Sequence, residues 1–447
     1  MSAETEAKSA AANAASKAPA ASATAAGADP AAAVAGSDAA TWQPRITAFV
    51  CRWCTYAGAD LAGTSRLKYP PHIRLIKLPC TGRIDPLFLL RAFAVGSDGI
   101  LVSGCHPGDC HYTSGNYAAR RRWVLFRELL DFVGLEPGRL HFSWVSAAEG
   151  GKFVDVVRNV TETVRALGPF PGFAPGDGAA TLGYAARPKP ANGNAEPLPA
   201  HLVDAVRADL ASGAVTAVLG LRQGRRAGHP RAAWARGPED AGLLVVSDST
   251  APLIPLLVRR LREDPAGTYG IVAGPGRREA LAHLQAEQQV DPERVRVYAS
   301  DGAAPAPLDT PAAELHGVPD LDAPAAERWA FWSAAFARCL RCYACREGCP
   351  TCSCVRCVAD KTRPRWIDSS PTPAGNWIWN VTRALHQAGR CVECGGCSDA
   401  CPVGIPLAAL TAHLNRAAIR AFGPPPEGER RSPLLFGRPD DEAPFIL

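Results

Sequence analysis

Residues 97–117 read SDGILVSGCHPGDCHYTSGNY. The apolar run Ile100–Val102 between glycines predicts a short strand, and Cys105 stands just beyond its end. A polar loop follows, with His106, Pro107, Gly108, Asp109 and a second thiol, Cys110. From Ala118 to Phe132 apolar side chains recur at three- and four-residue spacing, which predicts a helix. The unit is therefore strand, thiol-bearing loop, helix. The same unit extends outward. Ile46–Val50, Ile73–Leu78 and Leu140–Val145 read as strands, and Pro86–Phe93 and Phe153–Leu167 as helices. Strand and helix in alternation predict an α/β domain built on a parallel sheet with both faces covered.

Cys51 lies just beyond the first of these strands with Cys54 in the same loop, and Cys80 follows the second. Loops at the carboxyl ends of parallel strands converge on one edge of the sheet, where sites form. Five thiols, Cys51, Cys54, Cys80, Cys105 and Cys110, are thus expected on one rim. Buried structural cysteines explain one or two such residues but not five. Four of them suit a 2Fe–2S cluster or a metal ion, with one left over that the spacing does not single out. His106 and His111 are candidate ligands, and are expected rather as donors to cluster sulfur.

The chain has 447 residues, 47% hydrophobic and 20% charged, enough for two or three domains. No apolar run reaches the roughly 18 residues of a transmembrane helix, so no membrane span is expected. A net charge of +5 without a clustered basic face gives no support to nucleic-acid binding. Half of the first 40 residues are Ala, without the bulky apolar segment of an export signal. Residues 1–44 are expected to be a disordered leader and the protein to be cytoplasmic, where its 16 cysteines serve metals rather than disulfides.

The remaining cysteines lie near the C-terminus. Cys339, Cys342, Cys345 and Cys349-Pro350 have the spacing C-x2-C-x2-C-x3-C-P, and Cys391, Cys394, Cys397 and Cys401-Pro402 repeat it. In this bacterial-ferredoxin run three thiolates hold one 4Fe–4S cube and the fourth ligates its neighbour. Two runs supply eight thiolates, the complement of two cubes. Zinc sites also use CxxC pairs, but a zinc site takes four ligands, not three close ones and a Cys-Pro. Cys352, Cys354 and Cys357 follow the first run and read equally well as donors to a further metal completed by an outside ligand and as spare thiols.

Between the two ends, residues 168–200 contain 13 Pro and Gly and read as a linker. A small α/β region is expected over 201–300. Its helices are Leu202–Ala211, Ile254–Arg262 and Arg278–Gln289; its strands are Val215–Leu221, Leu243–Val246, Tyr269–Val272 and Val295–Ala299. A second linker spans 301–326. A helix over Glu327–Arg338 opens a ferredoxin-like domain at 327–423, and residues 424–447 form a Pro-rich tail. Trp329, Phe331 and Trp332, just before the first run, read equally well as cluster shielding and as core aromatics.

The segments CRWCTYAGADLAG, PCTGRIDP and SDGILVSGCHPGDCHYTSGNY resemble the methyl-viologen-reducing hydrogenase delta subunit family over roughly residues 46–166. The resemblance implies a 2Fe–2S electron-transfer subunit. Such a protein works between a heterodisulfide-reductase-like flavoprotein and a hydrogenase or formate dehydrogenase. FARCLRCYACREGCPTCSCVRC resembles the ferredoxin part of the beta subunits of deazaflavin-coenzyme hydrogenases and formate dehydrogenases. AVLGLR and GIVAGPGRREAL are similar to their flavin-binding domain, yet the region is about half the length of such a domain. Flavin is therefore the lesser expectation. No general acid, base or nucleophile stands out, so the chain reads as a wire rather than a self-contained enzyme. The alternatives are a flavoenzyme oxidising a reduced deazaflavin or nicotinamide, which lacks a GxGxxG fingerprint in the central region, and a zinc scaffold.

Overall fold

The computed structural model describes residues 42–175, 195–225, 229–247, 251–300, 318–319 and 321–424. Most of the expected leader, much of both linkers and nearly all of the tail lie outside the described residues.

Four parallel strands form the first sheet: β1 (Ile46–Cys51), β2 (Ile73–Leu78), β3 (Gly99–Gly104) and β4 (Leu140–Trp144), in the order β2-β1-β3-β4. Every residue of β1 and β3 is buried, as strands covered on both faces must be. Period-two alternation sorts their side chains. Ile46, Ala48, Val50 and Leu101 face α1 (Thr55–Thr64) and α4 (Gly150–Leu167), where Phe153, Val157 and Val160 complete that core. Phe49, Ile100 and Val102 face α2 (Pro86–Ala94) and α3 (Gly115–Phe132), against Leu89, Trp123 and Phe126. Sequence periodicity did not disclose α1. Its buried face consists of Thr55, Gly58, Ala59 and Ala62, too small to write an apolar stripe. Small residues are required there, since a Cβ on Gly58 would lie 2.7 Å from the Ser146 carbonyl oxygen.

The second sheet is mixed. β6 (Ala217–Arg222), β9 (Tyr269–Ala273) and β10 (Val295–Ala299) are parallel, while β7 (Arg231–Ala235) and β8 (Leu244–Val246) run antiparallel to β6 and the two-residue β5 (Glu196–Pro197) antiparallel to β8. Helices α5 (Ala200–Ser212), α6 (Leu253–Glu263) and α7 (Pro275–Ala286) complete this part. β5 and β7 were not foreseen. α7 begins three residues earlier than expected, because Gly274 is its N-cap and Pro275 its first helical residue, with φ already set for a helix.

The described part of 325–424 has no strand. It comprises α8 (Ala325–Ala337), α9 (Ala344–Glu347), α10 (Pro373–His386), α11 (Gly396–Asp399) and α12 (Leu407–Phe422). This helical unit shares one hydrophobic core with the α2–α3 face of the first sheet. Trp332 packs against Phe132 and Phe336, His413 stacks on Phe132 at 4.3 Å, and Trp329 stacks on Trp377 at 4.2 Å. Those contacts make the three aromatics before the first cysteine run members of the inter-unit core. Buried Arg328 donates to the Asp131 carbonyl at 2.8 Å and its carboxylate at 2.9 Å. Gly134, at φ +91°, admits α8 so closely that a Cβ would lie 2.3 Å from the Ala325 carbonyl oxygen. The central unit meets the helical one through a bidentate pair, Arg390 on Glu287 at 2.5 and 2.6 Å, and through Arg262, which donates to the Ser353 carbonyl at 2.6 Å.

Phe132→Ala is expected to cost about 3–5 kcal/mol, the usual penalty for an emptied aromatic core position. Because Phe132 touches Trp332 and His413 across the seam, anaerobic denaturant unfolding followed at the first sheet and at the helical unit should show both transitions moving. A shift confined to one unit would mean that the seam is not a common core.

Candidate metal centres

The order β2-β1-β3-β4 reverses direction between β1 and β3, the switch point at which parallel sheets open a crevice beyond their strand ends. Cys51 is the last residue of β1 and Cys105 directly follows β3, so both stand at that crevice, their sulfurs 3.6 Å apart. Cys54, in the turn entering α1, places its sulfur 2.9 Å from that of Cys105. Cys80, beyond β2, and Cys110 form a second pair at 3.8 Å. The structure therefore brings all five predicted thiols to one rim, in a group of three and a group of two.

Two glycines preserve the space around the pair. A Cβ on Gly115 would lie 2.3 Å from Cys80 Sγ and 3.3 Å from Cys110 Sγ, and one on Gly82 would strike the Gly115 backbone. Burial pushes the Cys80 thiol up to about 11. The neighbouring Cys105 thiol pulls Cys51 down to about 6, while Cys105 itself is pushed up by Cys51. Thiols buried side by side cannot all ionise against water, so a positive centre that replaces their protons suits this donor set. His106 Nε2 is held by the Glu149 carboxylate at 2.7 Å. The Ser146 amide, then His106, lower Glu149 to about 2. His111 stacks on Trp53 at 3.8 Å. Trp53 and Tyr112, both exposed and joined through the indole N–H at 3.4 Å, form an aromatic edge beside the thiols.

The two C-terminal runs fold alike. Arg341 and Tyr343 have φ +58° and +59°; at the equivalent places in the second run Glu393 and Gly395 have φ +51° and +71°. Each left-handed pair curls its loop around the thiols and leads into one helical turn, α9 or α11, that carries the third cysteine. The Glu393 amide donates to Cys391 Sγ at 3.4 Å, and the Arg341 amide favours the Cys339 thiolate in the same way.

A cavity is lined by Cys391, Cys394 and Cys397 of the second run together with Cys349, the fourth cysteine of the first. Conversely, burial raises the Cys339 and Cys345 thiols, and Cys401 stands close enough that a thiolate there raises both further. The fourth cysteine of the first run is thus brought to the first three of the second. This is the donor arrangement that paired 4Fe–4S cubes take. Burial raises Cys397 to about 12. Among the described residues no group of three or more His, Cys, Asp or Glu is placed to hold a single metal ion as the chain stands. Cys352 accepts from Gln387 Nε2 at 3.1 Å, Cys357 lies by Arg346, and Cys354 is exposed.

Sequence reasoning missed the residues that support these loops. Along α10 and just past it, Asn376, Asn380, Arg383 and Gln387 recur at four-, three- and four-residue spacing, and all are buried. Asn376 donates to the Cys339 carbonyl at 3.1 Å and Arg383 to the Cys345 carbonyl at 2.8 Å. Gln387 lies between Cys352 and Thr351, accepting from the Thr351 hydroxyl. On α12, Asn415 repeats the part of Asn376, donating to the Cys391 carbonyl at 2.7 Å. The available signal was an Asn/Arg/Gln stripe at helical spacing between two cysteine runs.

Residues 46–168 match the family model described as methyl-viologen-reducing hydrogenase, delta subunit, and residues 335–405 match a 4Fe–4S dicluster domain. The chain is 48% identical over 131 residues to the vhc iron-sulfur subunit of the F420-non-reducing hydrogenase of Methanococcus voltae, covering 91% of that protein and 29% of this one. It is 47% identical over 129 residues to the iron-sulfur subunit of the F420-non-reducing hydrogenase of Archaeoglobus profundus, 94% of that protein and 29% of this one. It is also 44% identical over 127 residues to a much longer subunit of the ferredoxin/F(420)H(2)-dependent CoB-CoM heterodisulfide reductase of Methanosarcina acetivorans, 16% of that chain and 28% of this one. No described helix is long and apolar enough to cross a membrane.

Gly115→Ala should force Cys80 and Cys110 apart. We expect anaerobically prepared protein to lose iron from the sheet rim while the reduced-cluster signals of the two C-terminal runs stay unchanged. An unaltered iron content would show that the thiol pair takes no part in the rim centre.

Proposed function

The chain belongs to the methyl-viologen-reducing hydrogenase delta subunit family, and on that premise we propose that it is an electron-transfer protein carrying three iron–sulfur clusters. Four of Cys51, Cys54, Cys80, Cys105 and Cys110 hold a 2Fe–2S cluster. Cys339, Cys342, Cys345 and Cys401 hold one 4Fe–4S cluster, and Cys391, Cys394, Cys397 and Cys349 the other. The observation that carries this reading is the crossed fourth cysteine, Cys349, in one cavity with the first three of the second run. When bound, such clusters take up and release single electrons.

What the chain itself supplies is position and burial. The helical unit shares a core with the first sheet, so the rim and the two runs belong to one rigid frame. At the last turn of α10, Arg383 and Gln387 face the runs while His386 lies within electrostatic range of Asp85, in the loop after Cys80. We place the electron path along that turn. Its outer partners are a heterodisulfide-reductase-like flavoprotein and a hydrogenase or formate dehydrogenase; the relatives' names support the hydrogenase and the heterodisulfide reductase, and the family resemblance alone suggests the flavin and the formate dehydrogenase. The exposed Trp53–Tyr112 edge, beside the rim thiols, is the surface where a partner docks. A cytoplasmic location belongs to the same proposal.

Anaerobic purification followed by iron, sulfide and zinc analysis tests it. About ten irons per chain, two plus four plus four, with both kinds of reduced-cluster spectrum and little zinc, is the expected result. About eight irons accompanied by zinc would make the sheet rim a metal-bound docking module instead.

A further inference from the structure

Arg383 lies on α10 between the two cysteine runs and is 4% exposed. Its Nη2 donates to the carbonyl of Cys345, the third cysteine of the first run, at 2.8 Å. The same side chain lines the cavity of Cys349, Cys391, Cys394 and Cys397. Its Nε is buried without a hydrogen-bond partner. Among the described residues no carboxylate is paired with it. Burial alone would lower the guanidinium, yet the opposing charges of Cys397, Cys352, Cys349 and Cys345 hold it above its ordinary value. A buried cation without a counter-anion is costly. Four thiolates around inorganic iron and sulfide carry net negative charge, and this supplies the missing anion on both sides of one side chain.

We propose that Arg383 is a counter-cation shared by the two 4Fe–4S clusters, raising the reduction potential of both. The inference rests on the two-cubane reading above. Adding one electron to either cluster adds one negative charge. Arg383 is a permanent cation that opposes that charge at both sites without taking up a proton. Low effective dielectric makes its influence large where surface charges would be screened. It is a positioning residue as well as an electrostatic one, since its bond to Cys345 fixes the first loop. It touches the first run only through the Cys345 carbonyl but lines the cavity of Cys349, Cys391, Cys394 and Cys397, so the second cluster feels it more.

The test is an EPR-monitored redox titration of the full chain, comparing wild type with Arg383→Met and Arg383→Lys, with iron and sulfide counted on each preparation. For Arg383→Met we expect both clusters to become harder to reduce. The second should change at least about tenfold in its one-electron equilibrium, ~59 mV, and the first by less. Arg383→Lys keeps the charge and should restore most of the shift. Should the methionine variant fail to assemble clusters, Arg383→Gln, neutral but still able to donate to the Cys345 carbonyl, takes its place in the titration with the same expected shift and the same overturning result. Unchanged potentials in an assembled methionine variant would overturn it. So would a lysine variant that behaves like methionine, because Arg383 would then act through its Cys345 bond alone. Wild-type protein without paired reduced-cluster signals would refute the two-cubane reading itself, and this proposal with it.

Discussion

The polar stripe of α10 has to be satisfied in the interior, and the arrangement of the helical unit follows from that constraint. Every residue from Gly375 to Leu385 is buried, including two asparagines, a threonine and an arginine. Buried donors without acceptors cost on the order of 1–3 kcal/mol each. The cysteine loops provide part of what the stripe lacks, carbonyls at Cys339 and Cys345 and a sulfur at Cys352, while Arg383 Nε stays without a partner. The apolar side of the same helix, with Trp377, Ile378 and Val381, joins the core that reaches the first sheet. One helix therefore fixes the loops on one side and the neighbouring unit on the other.

The rim of the first sheet solves a similar problem by different means. There the thiols come from strand ends, and their spacing is held by a twisted parallel sheet rather than by a helix. The support is mostly backbone and small residues. Gly82 and Gly115 make room, Asn116 donates to the Cys105 and His106 carbonyls, and Arg122 donates to the Gly82 carbonyl. The central unit contributes cover. Val392, just after the first cysteine of the second run, is buried in the central unit's core, and Arg390 is clamped by Glu287.

Much of this was legible before any coordinates. The strands of the first sheet were read to within a residue or two because their apolar runs are bounded by Gly, Pro and polar turns, and parallel order followed from the intervening helices. Convergence of Cys51, Cys54, Cys80, Cys105 and Cys110 followed from strand ends alone. Helices α1, α10 and α12 were not read, for reasons in the residues themselves. α1 buries only small side chains. α10 and α12 are buried on nearly all sides, and the polar residues that interrupt their apolar pattern face cysteine loops where a solvent face would be expected.

Spacing and residue type by themselves determined which thiols belong to which run, that the runs are two copies of one motif, and that the first domain is a parallel sheet. These are local properties, set within a few residues or by the period of a strand. Tertiary structure alone decided that the rim thiols divide into a group of three and a pair, that Arg383 lies between the two C-terminal sets, and that the helical unit shares a core with the first sheet. Each of these joins residues tens to hundreds of positions apart, as Arg328 and Asp131 are. Such contacts depend on complementary packing of whole faces, and that complementarity is written in no single stretch of the chain.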